Sequence, residues 1–371
     1  MNDSQAKQRA HERGDCRDGE ATAAGRSRAE NLARRPGRGC GFAAWCVVTG
    51  LLLAVPAGAQ ETRRKPGEVP TEVSPEGQAY LERLLKNTPF GTNGFDFEGL
   101  RAGMGSRRVP TVEGVRLTKV EVGKIPCEWV VAPGAETDVR VLYIHGGGFI
   151  SGSGGFYLPL AAHLSKAAKC AVLLVDYRLA PEHPFPAGLD DCVAAHDWLR
   201  THGPEGESAA RATFVAGDSA GGNLTLATVL ALRERKKPLP LGAIPISPVT
   251  DFALESESLK TVHDPIISAK TMPIFREHYL PKQSPREPLA SPVYARFDGL
   301  PPFLIQAGEH EMLRDDAVRV AQRIRDTEGK VTLEIWKGMF HVFQSHDPLL
   351  PEAREAFDHM AQFLRGLVPA R

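Results

Sequence analysis

The sequence predicts an α/β protein: an eight-stranded, mostly parallel sheet with helices on both faces and an N-terminal helical cap. Three observations carry this expectation. From Val115 onward, short β-branched runs alternate with segments of helical pattern, as strand–helix–strand units require. Of the 371 residues, 42% are hydrophobic and 24% charged, and 45 Lys and Arg balance 45 Asp and Glu. That is the composition of a globular chain, and it argues against a basic nucleic-acid binder or an acidic disordered tail. Only Gly39–Gln60 is long, uncharged and mostly apolar, which excludes a multi-span membrane protein.

Residues 1–38 are rich in Arg, Ala, Gly and Ser, lack an apolar period and read as disordered. The basic flank Arg34-Arg35-Pro36-Gly37-Arg38 precedes an apolar core, Phe42–Val55, of the length of a signal-peptide h-region. Pro56 ends it, and Ala57-Gly58-Ala59 forms a small-x-small cleavage site before Gln60. Residues 1–59 are therefore read as a disordered extension plus signal peptide, and the mature protein as periplasmic or secreted. An uncleaved anchor is the alternative. The pair Arg34-Arg35 lacks the apolar residues that a twin-arginine route would want. Cys16, Cys40 and Cys46 precede the cleavage site. Cys127, Cys170 and Cys192 remain, in no zinc-like spacing, as buried thiols or with one Cys170–Cys192 disulfide.

Residues 60–110 are expected to form cap helices, with amphipathic patterns at Ser74–Asn87 and Phe97–Gly103. Residues 111–371 form the main domain, opening with a hairpin of Val115–Val122 and Cys127–Val131. Further strands are expected at Val139–Ile144, Ala171–Val175, Ala212–Ala216, Ala243–Ile246, Phe303–Gln306 and Val331–Trp336. Helices are expected at Leu158–Ala168, Leu189–Leu199, Leu224–Arg235, Asp316–Thr327 and Glu352–Leu364. Thr250–Tyr279 does not follow the alternation. It is read as a further cap segment, near 250–285, because ligands bind outside the carboxyl ends of strands in such sheets.

Two motifs carry chemistry. Gly217-Asp218-Ser219-Ala220-Gly221 lies directly after the strand Ala212–Ala216 and before a helix expected from Asn223. A G-x-S-x-G in that context is a sharp turn that raises a serine hydroxyl above the sheet and points N–H groups at it. His145-Gly146-Gly147-Gly148-Phe149 follows the strand Val139–Ile144, and three glycines let the backbone approach a ligand closely. Such a loop supplies donors for the oxyanion of a tetrahedral intermediate. A phosphate-binding loop is the weaker reading, since neither G-x-G-x-x-G nor Gly-Lys-Ser/Thr occurs at a matching position.

With these motifs and the run Asp176-Tyr177-Arg178-Leu179-Ala180-Pro181-Glu182-His183-Pro184-Phe185-Pro186-Ala187, the chain resembles the hormone-sensitive-lipase-like (bacterial family IV) esterases of the α/β-hydrolase superfamily. The likeness runs from about Gln78 to the C-terminus. It implies an α/β-hydrolase fold with an N-terminal cap, and hydrolysis of short- to medium-chain carboxylic esters. Among bacterial members it is similar to acetylesterases and monoterpene-lactone-hydrolase-like proteins.

A serine hydrolase of this kind needs an acid and then a histidine after the nucleophile. His341, in Gly338-Met339-Phe340-His341-Val342-Phe343, follows the last expected strand, so its loop can return over the sheet edge to Ser219. His346 is the second choice, and His145 and His183 are read as shaping their own loops. The family usually shows Asp-Pro-Leu-Arg-Asp after the seventh strand. Here Glu311-Met312-Leu313-Arg314-Asp315 stands there and puts Glu311 in the acid position. Asp315 and Asp316 open the next helix, where the helix dipole alone accounts for a carboxylate.

The expected catalytic set is thus Ser219, Glu311 and His341. Gly147, Gly148 and Ala220 form the oxyanion hole, and His145, Gly146 and Asp218 support it. No metal and no organic cofactor are expected. The expected partner is a small-molecule ester, with a homodimer admitted, and neither nucleic acid nor a stable membrane span after signal cleavage. Lactone or amide hydrolysis on the same triad is the nearest alternative. A non-catalytic small-molecule-binding protein on this fold is the more distant one.

Overall fold

A computed structural model describes residues 64–105, 113–346 and 350–370. The expected extension and signal peptide, the cleavage site, Cys16, Cys40, Cys46 and the boundary at 110/111 lie outside the described residues.

The sheet opens as a hairpin. Strand β1 (Arg116–Val122) turns through Gly123, whose φ of 63° suits a glycine, into the antiparallel β2 (Ile125–Val131). Then follow β3 (Glu136–Ile144), β4 (Cys170–Val175), β5 (Ala212–Asp218), β6 (Gly242–Ile246), β7 (Phe303–His310) and β8 (Val331–Phe340). Their order across the sheet is β1-β2-β4-β3-β5-β6-β7-β8, antiparallel at β1, β2 and β4 and parallel from there on. The central strands β4, β5 and β6 are buried along their whole length, hence their unbroken apolar runs; the edge strand β1 is mostly half-exposed.

Helices cover both faces. Successive strand residues point to opposite sides. On β7, Phe303, Ile305 and Ala307 enter a cluster with Leu226, Val229 and Leu230 of α5 (Ala220–Glu234) and Val320 and Ile324 of α8 (Arg314–Asp326). Gln306, between them, instead donates to the Ala356 carbonyl of α9 (Pro351–Leu367). Helix α3 (Gly154–Ala168) packs with α9, and α4 (Ala187–Leu199) with α5.

The cap segments divide. Helix α1 (Pro75–Leu84) is capped by the Ser74 hydroxyl, which accepts the Gly77 N–H at 2.9 Å. Its Leu81 and Leu84 are buried with Trp336, Phe340, Phe343 and Leu350, so α1 is seated on the edge strand β8 and α9. Helix α2 (Phe97–Met104), capped by Asp96, is instead tied to the loop after β3. Between β6 and β7 lie α6 (Ser258–Thr261) and α7 (Thr271–Tyr279). Phe90 joins the two cap segments: its N–H donates to the Ile266 carbonyl, and the Ser268 N–H donates to its own carbonyl, both at 2.9 Å.

Several elements differ from the sequence expectation. Helix α5 begins at Ala220, not Asn223, because Gly221 and Gly222 are required by contact: a Cβ on Gly221 would lie 2.0 Å from the Ile144 carbonyl. Strands β7 and β8 each run four residues longer than expected, to His310 and Phe340, past an irregularity in pairing after Trp336. A small hairpin pairs His202–Gly203 with Gly206–Glu207, where no strand is expected. Cys127, Cys170 and Cys192 are free and buried, and burial pushes the first two thiols up to about 12. No helix among the described residues is long and apolar enough to cross a membrane.

Candidate active site

The site assembles at the carboxyl ends of β3, β5, β7 and β8. Ser219 follows the paired residues Asp218 and Ile246. Its backbone stands at φ 54°, ψ −115°, a region a side-chain-bearing residue seldom enters. Three contacts hold it there: the Ser219 N–H donates to the Ile246 carbonyl at 2.8 Å, and its own carbonyl accepts from Asn223 and Val249. The flanking glycines have no room for a side chain, since a Cβ on Gly217 would meet the Ile144 carbonyl at 2.4 Å.

His341 and Glu311 come together through strand pairing. Phe340 pairs with His310, and the next residue of each strand is His341 and Glu311. His341 Nδ1 lies 2.9 Å from Glu311 Oε2, and its Nε2 lies 3.1 Å from Ser219 Oγ. The carboxylate accepts the Nδ1 proton, which leaves Nε2 free to accept from the serine hydroxyl. The other Glu311 oxygen accepts the Gly308 N–H at 3.0 Å, and the Val342 N–H donates to Ser247 Oγ at 3.2 Å. Glu311 is fully buried. Burial opposes charge on His341, yet the hydrogen bond and charge of Glu311, with Asp264 and Asp218 adding, raise it above the ordinary histidine value.

The glycine loop packs against the turn that carries the serine. Gly147 and Gly148 have φ of 117° and 64°, and their N–H groups donate to no other group among the described residues. Ala220 opens α5, where an N–H has no partner within its own helix. Gly146 packs on Asp218: a Cβ there would lie 2.3 Å from Asp218 Oδ2. The two Asp218 oxygens accept from the hydroxyls of Tyr143 and Tyr157, each at 2.9 Å. Burial lifts Asp218 to about 6, against these two hydrogen bonds and the charge of His341. The His145 ring stacks on Tyr177 at 4.4 Å, and burial lowers its pKa.

The Asp176–Ala187 run is the cradle of this loop. The Tyr177 hydroxyl donates to the His145 carbonyl at 3.0 Å, and the Ala180 N–H to the Phe149 carbonyl at 2.9 Å. Arg178 forks onto Asp191. Glu182 takes both terminal nitrogens of Arg101, whose Nε and Nη2 also donate to the carbonyls of Ile150 and Ala180, at 2.8 Å each. From the other cap segment, Tyr279 stacks on Phe149 at 3.9 Å. The Phe275 ring lies so close to Gly148 that a Cβ there would meet it at 2.5 Å.

Of the residues expected at the site, Ser219, His341 and Glu311 are joined by hydrogen bonds, and Asp218 is turned to the tyrosines and to Gly146 of the glycine loop. His346, the second choice for the base, is spent on the Tyr80 hydroxyl at 2.7 Å. Asp316 departs from its expectation. It is fully buried, and accepts from the N–H groups of Thr250 and Asp251 and the hydroxyl of Ser256, so it anchors a cap segment beyond any dipole contact. Asp315 accepts the Ser258 N–H at 2.9 Å. Tyr143, Tyr157, Arg101, Phe275 and Asp264 went unmarked at the sequence level; Tyr143 and Tyr157 lie in a strand and a helix where an aromatic reads as core. Among the described residues no group of three or more His, Cys, Asp or Glu gathers as a metal-ligand set.

The family model described as α/β-hydrolase fold matches residues 141–345. An acetyl-hydrolase of Streptomyces hygroscopicus is 41% identical over 249 residues, covering 66% of this chain and 81% of its own. An esterase of Acinetobacter venetianus is 33% identical over 264 residues, covering 70% and 86%. Among solved structures, an esterase from the bacterial hormone-sensitive lipase family is 37% identical with a TM-score of 0.71, over 80% of this chain and all of its own. Motifs, sheet order and relatives agree: this chain belongs to the hormone-sensitive-lipase-like, bacterial family IV esterases of the α/β-hydrolase superfamily, and is a carboxylic ester hydrolase.

Proposed function

We propose that the protein cleaves short- to medium-chain carboxylic esters through Ser219, His341 and Glu311. The observation that carries this reading is the unbroken hydrogen-bonded chain Ser219 Oγ, His341, Glu311. His341 takes the hydroxyl proton as Ser219 Oγ bonds to the ester carbonyl carbon. The oxyanion is held by the N–H groups of Gly147, Gly148 and Ala220. The C–O bond to the alcohol breaks, His341 returns the proton to that oxygen, and an acyl-serine remains. Water repeats the sequence: His341 takes its proton, the acid leaves, and Ser219 is protonated again. Glu311 holds the imidazole tautomer and stabilises the imidazolium throughout.

Short acyl chains are favoured by the ring of Phe275 over Gly148 and by a relative named for acetyl hydrolysis. A p-nitrophenyl ester series from acetate to dodecanoate tests this. Turnover should fall steeply beyond medium chains; a maximum at the longest ester would contradict it. A fluorophosphonate should add to Ser219 and to no other serine, read by peptide mass spectrometry. The mature chain is proposed to be exported, beginning near Gln60, on the strength of the Phe42–Val55 core and the Ala57-Gly58-Ala59 site.

A further inference from the structure

The geometry points to Asp264 as a positioning residue for the triad, which locks the turn carrying Glu311 to the cap and keeps a second carboxylate near His341. It rests on the triad reading above. Asp264 is buried, in the segment between α6 and α7. Its Oδ2 accepts the N–H of Met312, the residue after Glu311, at 3.0 Å. Its Oδ1 accepts the N–H groups of Ile266 at 2.8 Å and Ile267 at 3.1 Å. Ile266 is the residue whose carbonyl receives the Phe90 N–H from the N-terminal cap segment. One carboxylate thus joins three pieces of chain: the acid's turn, the cap segment before α7 and, through Ile266, the strand-like stretch at Phe90.

The consequence for catalysis is twofold. A Glu311 backbone held on both sides, at Gly308 by its own carboxylate and at Met312 by Asp264, keeps its Oε2 aimed at His341. The charged groups facing His341 are Glu311 from the turn after β7, Asp218 from the elbow and Asp264 from the cap, all acidic. Asp264 therefore favours the imidazolium that forms as Ser219 loses its proton, without touching substrate or the reacting atoms. Burial raises the pKa of this carboxylate, against the charge of His341 and its three amide donors.

The test is the pH dependence of kcat/KM for Asp264→Asn, Asp264→Glu and Glu311→Gln, with active sites counted by fluorophosphonate titration and folding followed by thermal melts. Asp264→Asn should lower kcat with KM little changed, and move the acid limb down by at least about 0.5 pH unit. Asp264→Glu keeps the charge and should hold the limb within about 0.2 pH unit of wild type, even if the melt falls. In the double variant Asp264→Asn/Glu311→Gln the losses should combine to less than their product, because both act through one imidazole. A folded Asp264→Asn with wild-type kcat and acid limb overturns the proposal. So does an Asp264→Glu limb displaced as far as that of Asn, or failure of both Asp264 variants to fold, since the carboxylate would then serve the fold alone. If Glu311→Gln is itself silent, the triad reading has failed; if only Asp264→Asn is silent, this inference alone has.

Discussion

At the level of single residues, the acid is where sequence and geometry had most to settle between them. Glu311 has one more methylene than the Asp usual in the family, yet it reaches His341 because β7 runs on to His310 and delivers it immediately beyond a paired residue. Glu311→Gln leaves the tautomer unfixed and should lower kcat by at least about 10²-fold with KM little changed. The base must be neutral to accept a proton, and its pKa lies above the ordinary histidine value. Activity should therefore fall on the acid side with a midpoint above that value, and Glu311→Gln should move the midpoint down; a pH–rate profile reads both. Asp316→Asn should cost about 1–3 kcal/mol, the price of a buried acceptor serving three donors, against about 0.3–1 kcal/mol for a dipole contact alone. Thermal melts decide. Gly148→Ala should cripple turnover while the protein stays folded, since its Cβ would strike the Phe275 ring and its φ is positive. Ser219, His341, Glu311 and the glycine loop were legible because each sits at a strand end, and strand ends are marked by apolar runs. Asp264 was not: an Asp-Pro pair in an irregular segment gives no period, and its meaning depends on Met312, 48 residues away.

Secondary-structure elements were legible to the extent that they are buried. The eight strands and five main helices follow from β-branched runs and helical periodicity, and their errors lie at the ends, where side chains outside the element decide. Strand β8 extends past Gly338, a residue at φ 68° packed on Val73, which sequence pattern reads as a stop. Local pattern places the cap helices but says least about what they pack against. Ser74–Asn87 looks like a lid helix, being amphipathic and ahead of the sheet, but its apolar face is buried against Trp336 and Phe343. Leu84→Ala should therefore cost about 2–5 kcal/mol, as in a main core, with kcat per folded molecule nearly unchanged. Removing residues 60–100 should unfold β8 and α9 along with any change in substrate range. Helix α2 is different. Arg101→Ala should spare the melt more than Leu84→Ala does, yet lower kcat, because Arg101 steadies Ile150 and Ala180 on either side of the glycine loop.

For the molecule as a whole, the parallel strands bring loops distant in sequence to one end of the sheet. Residues 145–149, 217–221, 308–311 and 341–342 meet there, with 90–104 and 250–279 above or beside them. Export should leave a chain beginning near Gln60, and N-terminal sequencing of the protein from its native host checks this; an active chain retaining Met1–Ala59 would contradict it. If this convergence is a working triad, Ser219 is its nucleophile. The most direct measurement is hydrolysis of p-nitrophenyl acetate by the wild-type protein and by Ser219→Ala, each shown folded by its melt. Ready turnover by the first and a loss of about 10⁴-fold or more in the second are expected. A Ser219→Ala protein keeping more than about a tenth of the activity, far above what a triad missing its nucleophile retains, would place the nucleophile elsewhere and contradict this assignment.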